Sequence, residues 1–440
     1  MSTDRRRFLS VAGGAAAALT AASYSRVYGA NERVGVAVIG VNGRGKSHLD
    51  AVTKNPGAEV RAIVDIDQAV AEKRATETAR NQDGLRPKEY SDMRKMFESK
   101  DIDAVSIATP NYWHALSTIW ACQAGKDVYV EKPASHNVFE GRKMVEAARK
   151  YNRMVQVGQQ SRSTPYKIEA IQKLKEGVIG DVYMAKGLCF KRRKPIGNMQ
   201  PGTIPPGVDY DLWLGPAHPR AFQENRFHYK WHWYWDFGNG DIGNQGVHEM
   251  DVARWGLGID KLPDNAYSQG GKFVADDDQQ TPNTQIAVFR YPEKMLQFEV
   301  RGWISGGEGR MLEDIGSGPH TIGVLFFGSE GYLSCHNGGY NIYQGEDRKM
   351  VSERKAEGDT TYLHWDNFLK AVKSRNHKDL NCDIEVGHIS AALCHMANIS
   401  YRVDDKVRFK PETERFIGNS EANRLLTRDY RAPFVVPDQV

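Results

Sequence analysis

Apolar and polar positions along this chain fall into two textures. From Val34 to about Val157, short runs rich in valine and isoleucine alternate with longer stretches of helical spacing. The apolar runs lie at 34–39, 60–64, 104–108, 128–130 and 154–157, and the helical stretches around 68–81, 114–124 and 138–151. Strands alternating with helices predict a parallel, doubly wound sheet. Gly125-Lys126-Asp127 reads as a helix stop that feeds the strand at 128–130. After about Gly158 a helical stretch at 166–176 precedes a strand-like run at 181–190. Further runs follow at 284–291, 295–303, 321–327 and 332–335, with Pro292-Glu293-Lys294 a good hairpin connection. This second texture predicts a largely antiparallel sheet with one face covered by helices. Late helices at 362–374 and 385–403 are expected to pack back on the first unit. The expected division is residues 31–157 for the first α/β unit and 158–440 for the second.

The 440 residues suffice for two domains with sizeable cores. The formal charge is +4, but four arginines and one aspartate fall in the first thirty residues, leaving the remainder near neutral. Such a balance offers no footing for nucleic acid or an anionic membrane surface. Arg5-Arg6-Arg7-Phe8-Leu9 precedes a mild Ala- and Gly-rich apolar stretch at 11–22. That stretch is too short to span a bilayer. Twin arginines before a weakly apolar core resemble a twin-arginine export signal. Residues 1–30 are therefore expected to be a leader, cleaved within 22–30, and the mature protein a periplasmic or otherwise exported one without a membrane anchor. The five cysteines are odd in number and include no C-x-x-C. They read as buried small hydrophobes.

The first apolar run feeds a glycine turn, Gly40-Val41-Asn42-Gly43-Arg44-Gly45. Gly40 and Gly45 fit the dinucleotide fingerprint G-x-G-x-x-G, while Asn42 holds the middle place and Gly43 is displaced by one. The same stretch also spells a P-loop, ending Gly45-Lys46-Ser47. Two features favour the dinucleotide. Asp65 ends the next strand at about the spacing where an acid meets the adenosine ribose. An exported protein would also work where ATP is scarce. With no Arg or Lys directly after Asp65, NAD is expected over NADP.

The run at 104–108 breaks at Thr109-Pro110, and Asn111 and His114 follow. Proline halts a strand and leaves backbone groups free to meet a ligand, although an ordinary strand-to-helix turn would look the same. Glu131-Lys132-Pro133 directly follows the run at 128–130. Ligands collect at the carboxyl ends of strands in open α/β sheets, so Lys132 would sit beside a cofactor's reactive ring. That points to an oxidoreductase.

In Gly240 to Asp251, helix from about Gly243 would put Asn244 and His248 four apart on one face. His248-Glu249 does not complete H-E-x-x-H, because position 252 is valine. His228 and His232 have metal-pair spacing, yet nothing nearby completes a site and no metal is expected. Trp231, Trp233 and Trp235 stand at period two. If extended they share a face that suits a sugar ring, with Asp236 beside it; a core cluster is the equal alternative. Lys191 and Arg192, in a basic run, are either contacts for an acidic substrate or solvated charges.

The glycine turn, 104–110, Glu131-Lys132-Pro133, Gly180-Asp181-Val182, His248-Glu249-Met250-Asp251 and Gly328-Ser329-Glu330-Gly331 together resemble the glucose–fructose oxidoreductase / inositol dehydrogenase (Gfo/Idh/MocA) family, over nearly the whole mature chain. The resemblance implies a Rossmann domain followed by an α/β domain with a large open sheet. It also implies that Lys132 and His248 flank the nicotinamide and the reacting carbon of a sugar or cyclitol. Family members often carry an aspartate four residues before the histidine; here that place is Asn244, which cannot take a proton. Oxidising a secondary alcohol needs a base, and a lysine beside a cationic nicotinamide has its pKa lowered toward the useful range. The expected function is an exported NAD-dependent oxidoreductase acting on a sugar, glycoside or cyclitol, and a homo-oligomer. A glycoside hydrolase working through transient oxidation is the alternative, and a non-catalytic sugar-binding protein a third reading.

Overall fold

A computed structural model describes residues 33–303 and 320–440, with the backbone alone at His320. The expected leader at 1–30 lies outside the described residues. Six parallel strands form the first sheet: β1 (Val34–Ile39), β2 (Ala58–Val64), β3 (Lys88–Tyr90), β4 (Ala104–Ile107), β5 (Asp127–Val130) and β6 (Val155–Val157). Their spatial order is β3-β2-β1-β4-β5-β6. All six residues of β1 are buried, because helices cover both faces and no polar face is needed. Strand β3 was not predicted. Lys-Glu-Tyr has no apolar run, and it joins only by pairing with the edge of β2. The strand order reverses between β1 and β4, and the crevice above that point is the usual ligand site of such sheets.

The second sheet has ten described strands: β7 (Val182–Lys191), β8 (Asn265–Gly271), β9 (Thr284–Arg290), β10 (Met295–Arg301), β11 (His320–Gly328), β12 (Gly331–His336), β13 (Gly339–Gln344), β14 (Lys349–Lys355), β15 (Val407–Lys410) and β16 (Arg415–Phe416). Their order is β14-β13-β12-β11-β7-β10-β9-β8-β15-β16. The β7–β10 pair is parallel and the other described pairings are antiparallel. In β9, Gln285, Ala287 and Phe289 are buried while Ile286 and Arg290 are exposed. That alternation marks a sheet covered on one face. The cover is helices Pro165–Lys175, Val247–Gly256 and Ile384–Val403.

Two late helices pack against the first sheet. Helix Thr361–Ser374 lays Trp365 flat on Tyr129 of β5, with ring centroids 4.3 Å apart. Trp365 is fully buried, and truncating such a ring costs about 3–5 kcal/mol. Helix Ile384–Val403 touches β6 at Gly387, where a Cβ would lie 2.2 Å from Val157 Cγ2. The same helix reaches β8, where Ser268 N donates to Ser400 Oγ at 2.9 Å. Among the described residues no helix is long and apolar enough to cross a membrane. The five cysteines are buried and free.

Candidate active site

A cavity of about 410 Å³ opens above the carboxyl ends of β1, β2, β4 and β5. Gly40, Asn42, Gly43 and Asp65 line one end, Thr109 and Pro110 the middle, and Lys132 and Asn244 the other. The glycine turn is shaped by two close approaches. Gly40 has φ +81°, and a Cβ there would meet Ala108 O at 2.9 Å. A Cβ on Gly45 would fall 1.9 Å from Gly40 O. Gly43 has nothing within 4 Å of a Cβ position, so that side of the turn is open. The Asp65 carboxylate accepts from Val41 N at 2.8 Å and Asp67 N at 3.0 Å. It thereby fastens the turn to the end of β2. Burial raises its pKa against those two bonds. Arg74, which the sequence did not single out, donates to Val41 O and Asn42 O from outside.

Lys132 stands at the far end, its Nζ donating to the backbone carbonyl of Asn244 at 2.7 Å. Burial lowers its pKa; Glu131 opposes that and Arg44 assists it. Glu131 lines the cavity, but its carboxylate is committed inward. Oε1 accepts from Arg44 Nε at 2.9 Å, His48 Nε2 at 2.9 Å and Gln160 Nε2 at 3.1 Å. Oε2 accepts from Lys132 N at 3.1 Å. These partners, the Arg44 charge first among them, hold Glu131 well below the usual carboxylate range despite burial. Glu131 and Arg44 thus brace the Lys132 segment. His114 does the same, its ring within hydrogen-bond reach of Pro133 O at 2.7 Å and Thr109 O at 2.9 Å.

The Asn244 region departs from expectation. Ile242–Gly246 is a π-helical turn that continues as the α-helix Val247–Gly256. Asn244 and His248 therefore do not share one face of a continuous α-helix. The turn is closely packed: a Cβ on Gly243 would meet Asn239 Cβ at 2.5 Å, and one on Gly246 would meet the Phe298 ring at 2.6 Å. Single π turns are frequent at functional sites. His248 is partly buried and outside the cavity lining. Burial, helped by the Lys132 charge, pushes its pKa down to about 3, so the ring is neutral.

The tryptophans do not form a shared extended face. Lys230–Trp233 is a short 3-10 turn, which sends the rings apart. Trp231 lines the cavity and stacks on His232 at 3.6 Å. Trp233 is buried under the Arg193 guanidinium. Trp235 and Asp236 border a separate cavity of about 470 Å³, and Asp236 pairs with Arg220. Lys191 ends β7 and Arg192 is exposed beyond it; neither lines the main cavity. Asn111 is buried and donates to Asn239 Oδ1 at 2.5 Å, away from the cavity. Three unforeseen lining residues, His228, Tyr229 and His232, come from the segment after β7. Asn42 Nδ2 donates to His228 Nδ1 at 2.9 Å, so this segment closes over the glycine turn. His232 is held neutral by burial, with a pKa near 3. Their histidine spacing was visible in the sequence, but not that they meet the first sheet. Among the described residues no group of three or more His, Cys, Asp or Glu could hold a metal ion.

The site fits a dinucleotide. The glycine turn is open at Gly43, Asp65 stands at the end of β2, and the buried Thr109 Oγ1 on the cavity wall has no partner among the described residues. Two family models match the chain. One, the oxidoreductase family with an NAD-binding Rossmann fold, matches residues 34–159, and its C-terminal alpha/beta domain matches 184–290 and 340–436. Glycosyl hydrolase family 109 protein 1 of Shewanella sp. (strain MR-4) is 32% identical over 155 residues, 34% of this chain and 34% of that protein. An inositol 2-dehydrogenase/D-chiro-inositol 3-dehydrogenase of Shouchella clausii is 31% identical over 161 residues, 36% of this chain and 44% of that protein. The chain thus spans under half the length of these relatives. The structure of levoglucosan dehydrogenase, in complex with NADH and levoglucosan, superposes with a TM-score of 0.65 at 19% identity, covering 86% of this chain and 99% of that one. That likeness shows the fold.

Proposed function

The chain belongs to the Gfo/Idh/MocA oxidoreductase family, and from that premise we propose an exported enzyme that moves a hydride between retained NAD and a secondary alcohol of a sugar, glycoside or cyclitol. The observation that carries this reading is one continuous cavity with the open glycine turn at one end and the Lys132 amine at the other. Gly40, Gly43, Gly45, Asp65 and Thr109 would hold the cofactor. When bound, NAD supplies a hydride acceptor. Lys132 takes the hydroxyl proton; burial favours its neutral form, as a general base requires. His248 keeps a neutral ring near the Lys132 charge, outside the cavity lining. Asp65 at the ribose position disfavours a 2′-phosphate, which supports NAD over NADP. The Arg74 guanidinium does not offset this, being engaged by Glu77 and two carbonyls.

Two features support retention of the cofactor. His228 reaches across to Asn42 over the glycine turn. The Arg5-Arg6-Arg7 leader suits export of a folded protein carrying its cofactor. The test uses the purified protein with no cofactor added, mixed with free sugars, cyclitols and glycosides. Cofactor reduction by a sugar or cyclitol is expected, as is nicotinamide nucleotide in the supernatant after denaturation. Absence of both would overturn the reading. Arg5→Lys with Arg6→Lys should trap the precursor in the cytoplasm, and undisturbed export would refute the leader assignment. The likeness to a glycosyl hydrolase family 109 protein favours a second reading, a redox-neutral glycosidase. Glycoside cleavage without net cofactor reduction would establish it.

A further inference from the structure

Asn244 stands where a carboxylate would assist the site, yet a carboxylate is within reach of it. Asp241 immediately precedes the π turn and is 3% exposed. Its oxygens accept from Arg193 Nε at 3.0 Å and Nη2 at 2.6 Å, a fork-to-fork pair. Asp241 Oδ1 also lies 3.4 Å from Asn244 Nδ2, which is equally far from the Tyr229 hydroxyl. Arg193 is itself fixed. Its backbone N donates to Gly302 O at 2.8 Å, and its guanidinium lies over the Trp233 ring at 5.5 Å. A connected path therefore runs from the second sheet through Arg193, Asp241 and Asn244 to the carbonyl that holds Lys132 Nζ.

We propose that Arg193 and Asp241 are positioning residues for Lys132, acting through the turn at Asn244. The proposal rests on the reading of Lys132 as the base. A bidentate pair fixes orientation as well as distance, so it suits a turn whose carbonyl must be aimed at one amine. Asp241 also contributes charge. The groups acting on Lys132 are Glu131, Glu249 and Asp241, which favour its protonated form, and Arg44, which opposes it. The rings of His232 and His248 face the same region and are neutral.

The test reads Lys132 directly, in the full-length mature protein. Its acetylation by acetic anhydride is followed against pH by peptide mass spectrometry, with the exposed Lys46 as internal reference. Asp241→Asn removes the charge and keeps the shape. Its Lys132 midpoint should fall by about half a pH unit, less than for a directly paired carboxylate, while Lys46 stays put. Asp241→Glu should restore the midpoint while lowering kcat with KM unchanged, because the charge remains and the aim is lost. Asp241→Ser, which leaves room for water beside Arg193, carries the same readout if the asparagine variant does not fold. An unmoved Lys132 midpoint in the folded variant overturns the proposal and leaves the reading of the site intact. Wild-type turnover by Lys132→Met overturns that reading instead, whatever the labelling shows.

Discussion

Gly45 and Gly43 sit two residues apart in the same turn, and their alanine variants should fail in different ways. A Cβ on Gly45 would lie 1.9 Å from the Gly40 carbonyl oxygen and 2.9 Å from its carbon. Ordinary contact begins near 3.4 Å, so backbone must move by about 1.5 Å. The atoms in conflict are main chain, and no rotamer relieves them. The start of helix Arg44–Thr53 must lift from the end of β1, at the upper end of overpacking costs, about 3 kcal/mol. A Cβ on Gly43 meets nothing within 4 Å. The apoprotein should keep its stability to within about 1 kcal/mol. The new methyl would, however, stand on the open side of the turn, and a tenfold loss of NAD affinity corresponds to only about 1.4 kcal/mol. The assay is urea unfolding of cofactor-stripped protein together with NAD titration by tryptophan fluorescence. Gly45→Ala should lower the urea midpoint, and Gly43→Ala should weaken NAD binding at an unchanged midpoint. A Gly45→Ala protein with wild-type stability, or an unstable Gly43→Ala protein that binds NAD normally, would refute the reasoning.

Lys132→Met removes the proton acceptor while keeping apolar bulk, and should cost on the order of a hundred- to ten-thousand-fold in kcat; NAD titration should be near wild type, and retained turnover would exclude Lys132 as the base. His228→Ala removes the bond to Asn42, a loss of about 1 kcal/mol. Release of bound NAD into a trapping dehydrogenase should speed up several-fold, and an unchanged rate would show that this segment does not retain the cofactor. Burial is the first cause holding His232, His248 and His395 down near 3 and His364 near 4. The unfolded chain protonates these rings near 6.5 and the folded chain does not, so stability falls as pH drops from about 6.5 toward 4, each ring contributing up to about 1.4 kcal/mol per unit. Glu140 and Glu249, raised by burial to about 7, act oppositely below that pH and offset two of the four. The urea midpoint should be lower at pH 5 than at pH 7, and a flat or rising profile would contradict this assignment.

Much of the first sheet was legible because its signals are local. An apolar run such as Val34–Ile39 must be buried on both faces, and only the helices around a parallel sheet provide that. The turn needed Gly40 and Gly45 for contacts made a few residues away. Lys132 could be placed because a strand end is a ligand site whatever surrounds it. Glu131 shows where such reasoning stops. Its neighbour in sequence faces the cavity, but Arg44, His48 and Gln160 draw its carboxylate inward, and nothing in Glu-Lys-Pro announces those partners. The tryptophan run failed for a related reason: period two has meaning only in extended chain, and a 3-10 turn scattered the rings.

By itself the sequence determined the alternating α/β order, the parallel sheet, the glycine turn and the position of Lys132 at a strand end. Each depends on burial or backbone conformation within a short stretch, which residue type alone constrains. Tertiary structure decided what surrounds those residues. It brought His228 onto Asn42 and the Asn244 carbonyl onto Lys132, contacts between segments 186 and 112 residues apart. It also made the start of an expected helix a π turn, packed so closely that Gly246 leaves no room for a Cβ beside Phe298 of β10. Such contacts depend on where two sheets come to rest against each other, and no single stretch of chain carries that information.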